Sequence, residues 1–178
     1  MTDAYRLTLP GVLARSAIVH TVTYFCAGVL AFTLFDYGTA LVEEPLAGLM
    51  RSPDDPMVMA GPLFQPVRGL LFGVVFYLLR DQCFGRRYGW LTMWVVLVVV
   101  GTLSTFGPAP GSIEGLIYTT LPLSVHLGAG HIETMGQALA FSWLLFHWVR
   151  YPKRWLTWGL AGVFVIVMVL PVLGLLVG

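Results

Sequence analysis

Apolar residues in this chain come in long unbroken runs rather than in the alternating or 3.6-residue stripes of a water-soluble fold. Four runs stand out: Ala17–Phe35, Trp90–Phe106, Glu133–Trp148 and Trp155–Val177, the last without a charged residue. A hydrocarbon layer is crossed by roughly 20 apolar residues of helix rising about 1.5 Å each. Backbone groups inside lipid find partners only within the segment, so each run predicts a helix despite its many valines. Uninterrupted apolarity of this length does not match the dyad alternation of a barrel strand.

A fifth run, Gly69–Leu79, is too short to cross alone. Extended back to Pro62 it is long enough, at the expense of including Gln65, Pro66 and Arg68. The pattern therefore predicts an all-α, polytopic transmembrane bundle of about five spans, near residues 17–37, 62–80, 90–106, 131–149 and 155–177. Residues 1–178 read as a single transmembrane domain. The run Ala17–Phe35 is longer than a signal-peptide core, so it reads as a first span, although Gly38-Thr39-Ala40 loosely resembles a cleavage site.

Composition agrees with the pattern. The chain is 57% hydrophobic and only 11% charged, against about 25% charged in an average soluble domain. Too few polar groups remain to cover a water-facing surface. Cys26 and Cys83 fall on different segments and in no CxxC pattern, which gives thiolate metal or redox chemistry no support.

The net charge of +1 says little, but its placement says much. With the N-terminus in the cytoplasm, Arg6, Arg15, Arg80, Arg86, Arg87, Arg150, Lys153 and Arg154 lie inside. That is eight of the ten basic residues, leaving Arg51 and Arg68 outside. Asp36, Glu43, Glu44, Asp54, Asp55, Glu114 and Glu133 lie outside; Asp3 and Asp81 lie inside. Basic residues retained on the inner side set orientation, so the expected topology is N-in and C-out. Trp90, Trp148, Trp155 and Trp158, with Tyr88 and Tyr151, form an aromatic belt at the inner boundary. Such a chain is expected in the plasma membrane of a prokaryote, in contact with lipid and with other membrane subunits or copies of itself, and not with nucleic acid.

The two outer connections differ. The first, about Asp36 to Gly61, is acidic and carries Pro45, Pro53 and Pro56. The second, Gly107–Gly130, opens on Gly107-Pro108-Ala109-Pro110-Gly111 and continues as the mostly apolar Ile113–Leu127. That stretch is too short to cross and return as helices. It should lie along the interface or dip in as a re-entrant segment covered by protein.

Three sets of residues could carry chemistry. Arg68 lies inside a span, where a charge costs at least about 2.5–3.5 kcal/mol. It is followed by Gly69 and Gly73, a spacing that lets another helix approach closely. Arg68 with outer polar residues is a candidate anion site for a lipid headgroup or small solute. The plainer alternative is an ion pair with Asp36, Glu43, Glu44, Glu114 or Glu133. His126, His131 and Glu133, with Glu114, extend the outer cluster; Gly128 and Gly130 interrupt it, and no zinc signature fits. His20 and His147 each lie about a turn inside the inner end of a span and could together hold a haem, or singly a chlorophyll-type pigment. The plainer alternative is two interfacial histidines that bind nothing. No G-x-S-x-G elbow or other nucleophile constellation occurs.

Three functions remain open from sequence: a non-catalytic component of a membrane complex, a lipid or solute binder using Arg68, and a haem- or pigment-bearing subunit using His20 and His147.

Overall fold

The computed structural model describes residues 7–37, 46 and 50–177. Arg6, Asp3, Pro45, the triplet 38–40 and the candidate Arg68 partners Glu43 and Glu44 lie outside the described residues.

All regular structure among the described residues is helical. α1 (Leu9–Leu34) begins well before the first apolar run, because Thr8 caps it and Pro10 occupies its first turn. Its opening turns are less apolar, which is why the pattern placed its start near residue 17. After the short α2 (Pro56–Met59) comes α3 (Gly61–Leu78), then a turn of helix, α4 (Arg80–Cys83). α5 (Gly89–Val95) continues without a break into a π-helical segment, Val96–Leu103. Two short helices follow, α6 (Ile113–Tyr118) and α7 (Leu123–His126). The chain then closes with α8 (Ala129–Arg150) and α9 (Arg154–Val177).

α1, α3 and α9 are long and apolar enough to cross a membrane. The Gly89–Leu103 helix is apolar but only 15 residues long, at most about 22 Å. α8, with 22 residues, reaches about 33 Å but carries His131, Glu133, Thr134, Gln137 and Ser142 along its length.

Side-chain pairings fix the relative directions. Gly69 lies against Ala17 and Gly73 against Leu13, so α1 and α3 are antiparallel. Arg15 stacks on Trp148 at 5.6 Å and His20 on Phe141 at 5.2 Å, so α8 also runs against α1. Trp94 donates to the Met135 carbonyl at 3.1 Å near the start of α8, while Arg150 at its end reaches the Arg86 carbonyl just before Gly89, so the Gly89–Leu103 helix runs against α8. Gly174 meets Met59 next to the start of α3, so α9 is parallel to α1. The five long segments thus alternate. Arg15, Arg80, Arg86, Arg87, Arg150, Lys153 and Arg154 consequently share one end of the bundle.

α1 is the hub, packed on α3, α8 and α9. Its closest approach is to α3. A Cβ on Gly69 would come within 2.6 Å of the Ala17 Cα, and Ser16 donates to the Gly69 carbonyl at 2.7 Å. The core around this contact includes Val12, Val19, Phe76, Met93, Phe141 and Leu145. The rest of the apolar surface faces outward: Leu30, Leu71, Val100, Trp158 and Leu176 are among many large side chains more than half exposed. Water would oppose so large an apolar surface; lipid is the medium that accepts it. The protein is a membrane-embedded helical bundle with several apolar spanning helices and a lipid-contacting surface.

The arginine-rich end is tightly pinned. Arg150 donates to the Arg86 carbonyl at 2.8 Å and the Phe84 carbonyl at 3.4 Å, and lies over the rings of Phe146 and Tyr151. Trp148 donates to Thr157 Oγ1 at 2.9 Å, bracing the α8–α9 turn. Beneath this clasp Cys83 is fully buried, and burial pushes its thiol up to about 11.

Candidate functional site

A cleft of about 270 Å³ lies between α3, the π-helical segment and α8. α3 supplies Arg68, Leu71 and Phe72. The π-helical segment supplies Leu97, Gly101 and Thr102. α8 supplies Thr134, Gln137, Ala138 and Phe141, and His20 of α1 lies behind them. α3 and the π-helical segment scarcely touch, so the gap between them leads to the lipid-facing surface, where Leu71 and Gly101 are exposed.

Each wall has a local cause. In α3, Pro66 has no N–H for the carbonyl of Pro62, while Gln65 turns its amide onto the Gly61 carbonyl at 3.2 Å. Arg68 then falls seven residues into the helix, about 10 Å from its start. In the opposite wall the backbone bonds from residue i to i−5, as where Ser104 N–H reaches the Val99 carbonyl at 2.9 Å; the Thr102 side chain donates from Oγ1 to the Leu97 carbonyl, also five residues back, at 3.4 Å. Such wide turns are uncommon and frequently mark functional positions. Here one brings Gly101 and Thr102 to the cleft.

Arg68 makes no ion pair or hydrogen bond among the described residues. Its guanidinium lies 5.6 Å from the Phe72 ring centroid and close enough to act electrostatically on His20 and Tyr24. The ion pair open to it from sequence is not formed with Asp36, Glu114 or Glu133. Glu133 instead accepts from the Tyr37 hydroxyl at 2.8 Å. Burial, then that carboxylate, raises the Tyr37 pKa.

His20 is 2% exposed and held edge-on by Phe72 and Phe141. Because Gln65 donates through Nε2 to Gly61, its Oε1 is left to accept from His20 Nε2 at 3.2 Å. That places the imidazole proton on Nε2. Nδ1 is buried and has no hydrogen-bond partner among the described residues.

The outer cluster expected from sequence separates into distinct places. Arg68 belongs to the cleft, together with His20, a residue assigned from sequence to a different site. His126 is buried in the connection between the π-helical segment and α8. There its Nδ1 accepts from Gly111 N–H at 3.1 Å and its Nε2 faces Thr119 Oγ1 at 3.3 Å. Accepting at Nδ1 requires a neutral ring with its proton on Nε2. His131 packs against Gly111, which has φ +84°. Glu114 lies in the first turn of α6. No group of three metal-binding side chains forms among the described residues.

His147 does not share a pocket with His20. His20 meets α8 at Phe141, six residues and about 9 Å along the helix from His147. His147 is half-buried, with Nδ1 on the Trp143 carbonyl at 2.7 Å and its ring 4.3 Å from that of Trp143. The two imidazoles expected to flank a haem are thus at different levels, and both are engaged locally.

Comparison with known families, with curated proteins and with solved structures returns no match. Function has to be read from the cleft itself.

Sequence reasoning singled out Arg68, Gly69 and Gly73. It missed Thr102, Thr134 and Gln137, which are ordinary polar residues near helix ends until the fold gathers them. A signal for Gln137 did exist: it lies on the same α8 face as Thr134 and Phe141, at helical spacing.

Proposed function

We propose that this protein binds an anionic amphiphile, a lipid or fatty-acid-like molecule, with its acid group at Arg68 and its chain in the surrounding lipid. One observation carries the reading. A guanidinium without an ion pair among the described residues lines a cleft that opens between two helices toward lipid. Arg68 is exposed on the lipid-facing side of the bundle, where a cation without a counter-charge is costly, and an incoming carboxylate or phosphate would supply one. Thr102, Thr134 and Gln137 offer further polar contacts, while Leu71, Phe72, Leu97 and Phe141 suit the first methylenes of a chain. The cleft is near the lower size limit of ligand sites, which fits a headgroup and a few carbons better than a whole lipid.

The topology that accompanies this reading has five spans within a single transmembrane domain, residues 1–178. The arginine-rich end is cytoplasmic and the C-terminus outside, in the plasma membrane of a prokaryote. The shared location of seven basic residues at one end supports the orientation through the positive-inside rule. Alternation of five long segments supports the span count, with the short Gly89–Leu103 helix completed by the residues that follow it.

The test uses protein reconstituted in phosphatidylcholine vesicles with spin-labelled stearic acid and its methyl ester. The acid should bind at least tenfold more tightly, about 1.4 kcal/mol, and Arg68→Gln should erase the difference. Equal binding of acid and ester by the folded protein would remove the reading.

Membership of a larger assembly is a second reading. Gly28, Gly136, Gly159 and Gly162 have open space where a side chain would be, which leaves places where another helix could approach closely. Native mass in mild detergent tests it: a lone monomer would count against it.

A further inference from the structure

The connection between the π-helical segment and α8 is built like a plate, and its two faces differ. One face is polar, small and locked. Ser112 caps α6, its Oγ accepting from Gly115 N–H at 2.9 Å, and that hydroxyl donates to the Ala109 carbonyl at 2.7 Å. Thr119 Oγ1 donates to the Gly115 carbonyl at 2.7 Å, and His126 joins Gly111 to Thr119 from the far side. Ser112 and His126 are essentially inaccessible. These bonds tie the two short helices into one unit from within.

The other face is apolar and uncovered. Ile113, Leu116, Ile117, Tyr118, Leu123 and Leu127 are each 50–73% exposed. From Ser104 to Gly130 the chain has a single formally charged residue, Glu114. The contrast with the neighbouring segment is sharp: residues 51–55 alone hold Arg51, Asp54 and Asp55, and an exposed Arg51–Asp55 ion pair.

Sequence left two positions open for this stretch, dipping into the bundle or lying along the membrane surface. A re-entrant segment is tolerated only where protein or water covers its backbone. α6 packs on α7 and α7 on α8, and neither has substantial contact with α1, α3, α5 or α9. The segment is therefore not buried in the bundle. Its attachment points supply what covers the apolar face. It leaves the π-helical segment beside the exposed Val99 and Val100, and rejoins α8 beside the exposed Ile132. The apolar face thus continues the lipid-contacting surface at the end opposite the arginine-rich rim.

We infer that residues 107–128 form a preassembled amphipathic plate seated in the bilayer interface at that end, with Ile113, Leu116, Ile117, Tyr118, Leu123 and Leu127 as its lipid-contacting side chains. The partner is the membrane surface itself: acyl chains just below the headgroups, with Tyr118 at headgroup level as expected of an interfacial aromatic. A wholly aqueous setting would leave six large apolar side chains in water with almost no charge nearby. The plate also joins the two cleft walls that follow it and precede it, but its seating is independent of ligand binding at Arg68.

The experiment uses the full chain in phosphatidylcholine vesicles, with Cys26→Ser and Cys83→Ala as background. Nitroxides are placed through Ile117→Cys, Leu123→Cys, Asp54→Cys as water reference and Leu170→Cys as lipid reference. Collision with oxygen and with a water-soluble nickel chelate is then compared. Asp54 and Leu170 serve only as rulers, and none of the four positions is in the packed core. The plate labels should favour oxygen over nickel by several-fold relative to the Asp54 position, at a depth shallower than Leu170. Nickel access equal to that at Asp54 would overturn the inference by placing the face in water. Exclusion of both quenchers would overturn it too, by showing that a protein surface covers the face.

Discussion

Arg150 and Arg68 are the same side chain placed in two different ends of one bundle, and the structure treats them oppositely. Arg150 has backbone carbonyls on its guanidinium and aromatic rings beneath it. It ties the α8 end to the turn before α5, next to the buried Cys83. Arg68 has one ring beneath it, no ion pair among the described residues, and an open cleft before it. An arginine whose donors are consumed internally is a brace. One whose donors are left over is available to something else. The difference lies in what the neighbouring backbone offers: the arginine-rich turn ends helices and so presents free carbonyls, while Arg68 stands within a continuing helix, where i→i−4 bonding uses most of them.

Breaking the contact that stations Arg68 should have the largest effect. Gly69→Leu would force a branched side chain into the Ala17 backbone, which is 2.6 Å from where its Cβ would be. Separation of α1 from α3 should cost about 3 kcal/mol or more, read as loss of monodisperse protein or a large fall in thermal midpoint.

Arg150→Ala should come next, at about 1 kcal/mol, because it removes hydrogen bonds to the Phe84 and Arg86 carbonyls and packing on two rings. Thermal unfolding in detergent measures it, and the same variant should expose Cys83 to maleimide.

The Cys83 thiol sharpens the comparison through pH. Burial raises it from 9.0 to about 11. The folded state thus holds this proton where the unfolded state releases it. Its contribution to stability should be complete below pH 9 and should fall away as pH rises from 9 toward about 11. Alkylation of Cys83 in the folded protein should stay slow at neutral pH. Rapid alkylation at pH 7 would show that the clasp does not close over the turn.

The smallest effect on stability is expected at Arg68. Arg68→Ala should lower stability by no more than about 0.5 kcal/mol, or raise it, because a membrane charge is removed and no ion pair among the described residues is lost. A loss as large as that from Arg150→Ala would mean that Arg68 is a brace after all.

Much of the architecture was legible because lipid is an unforgiving solvent. Long apolar runs have one physical outcome, so the helical segments and the small-residue contact at Gly69 and Gly73 were readable from spacing alone. The start of α1 was not, because Pro10, Gly11, Arg15 and Ser16 interrupt the apolar run while Thr8 still caps a helix there. The π-helical segment was not either: Val96–Leu103 is as apolar as an α-helical span, and the switch from i−4 to i−5 bonding leaves no mark on hydropathy. Arg68 drew attention by being costly where it stands. The company it keeps came from three other helices, and pairings across helices are set by packing rather than by local pattern. His126 shows the converse. As a histidine near other polar residues it resembled a ligand, while its two ring nitrogens are used to staple a turn.

The wide turns at Val96–Leu103 have a consequence for how such a wall can arise or vanish. A π turn is what an ordinary helix becomes when it absorbs one surplus residue without moving its ends. Excising a single valine from 98–100 would let the ladder relax to α geometry with its ends in place, and so change which side chains of this stretch stand beside Gly101 and Thr102 at the cleft. The shape of this wall therefore depends on the length of the segment as well as on its side chains.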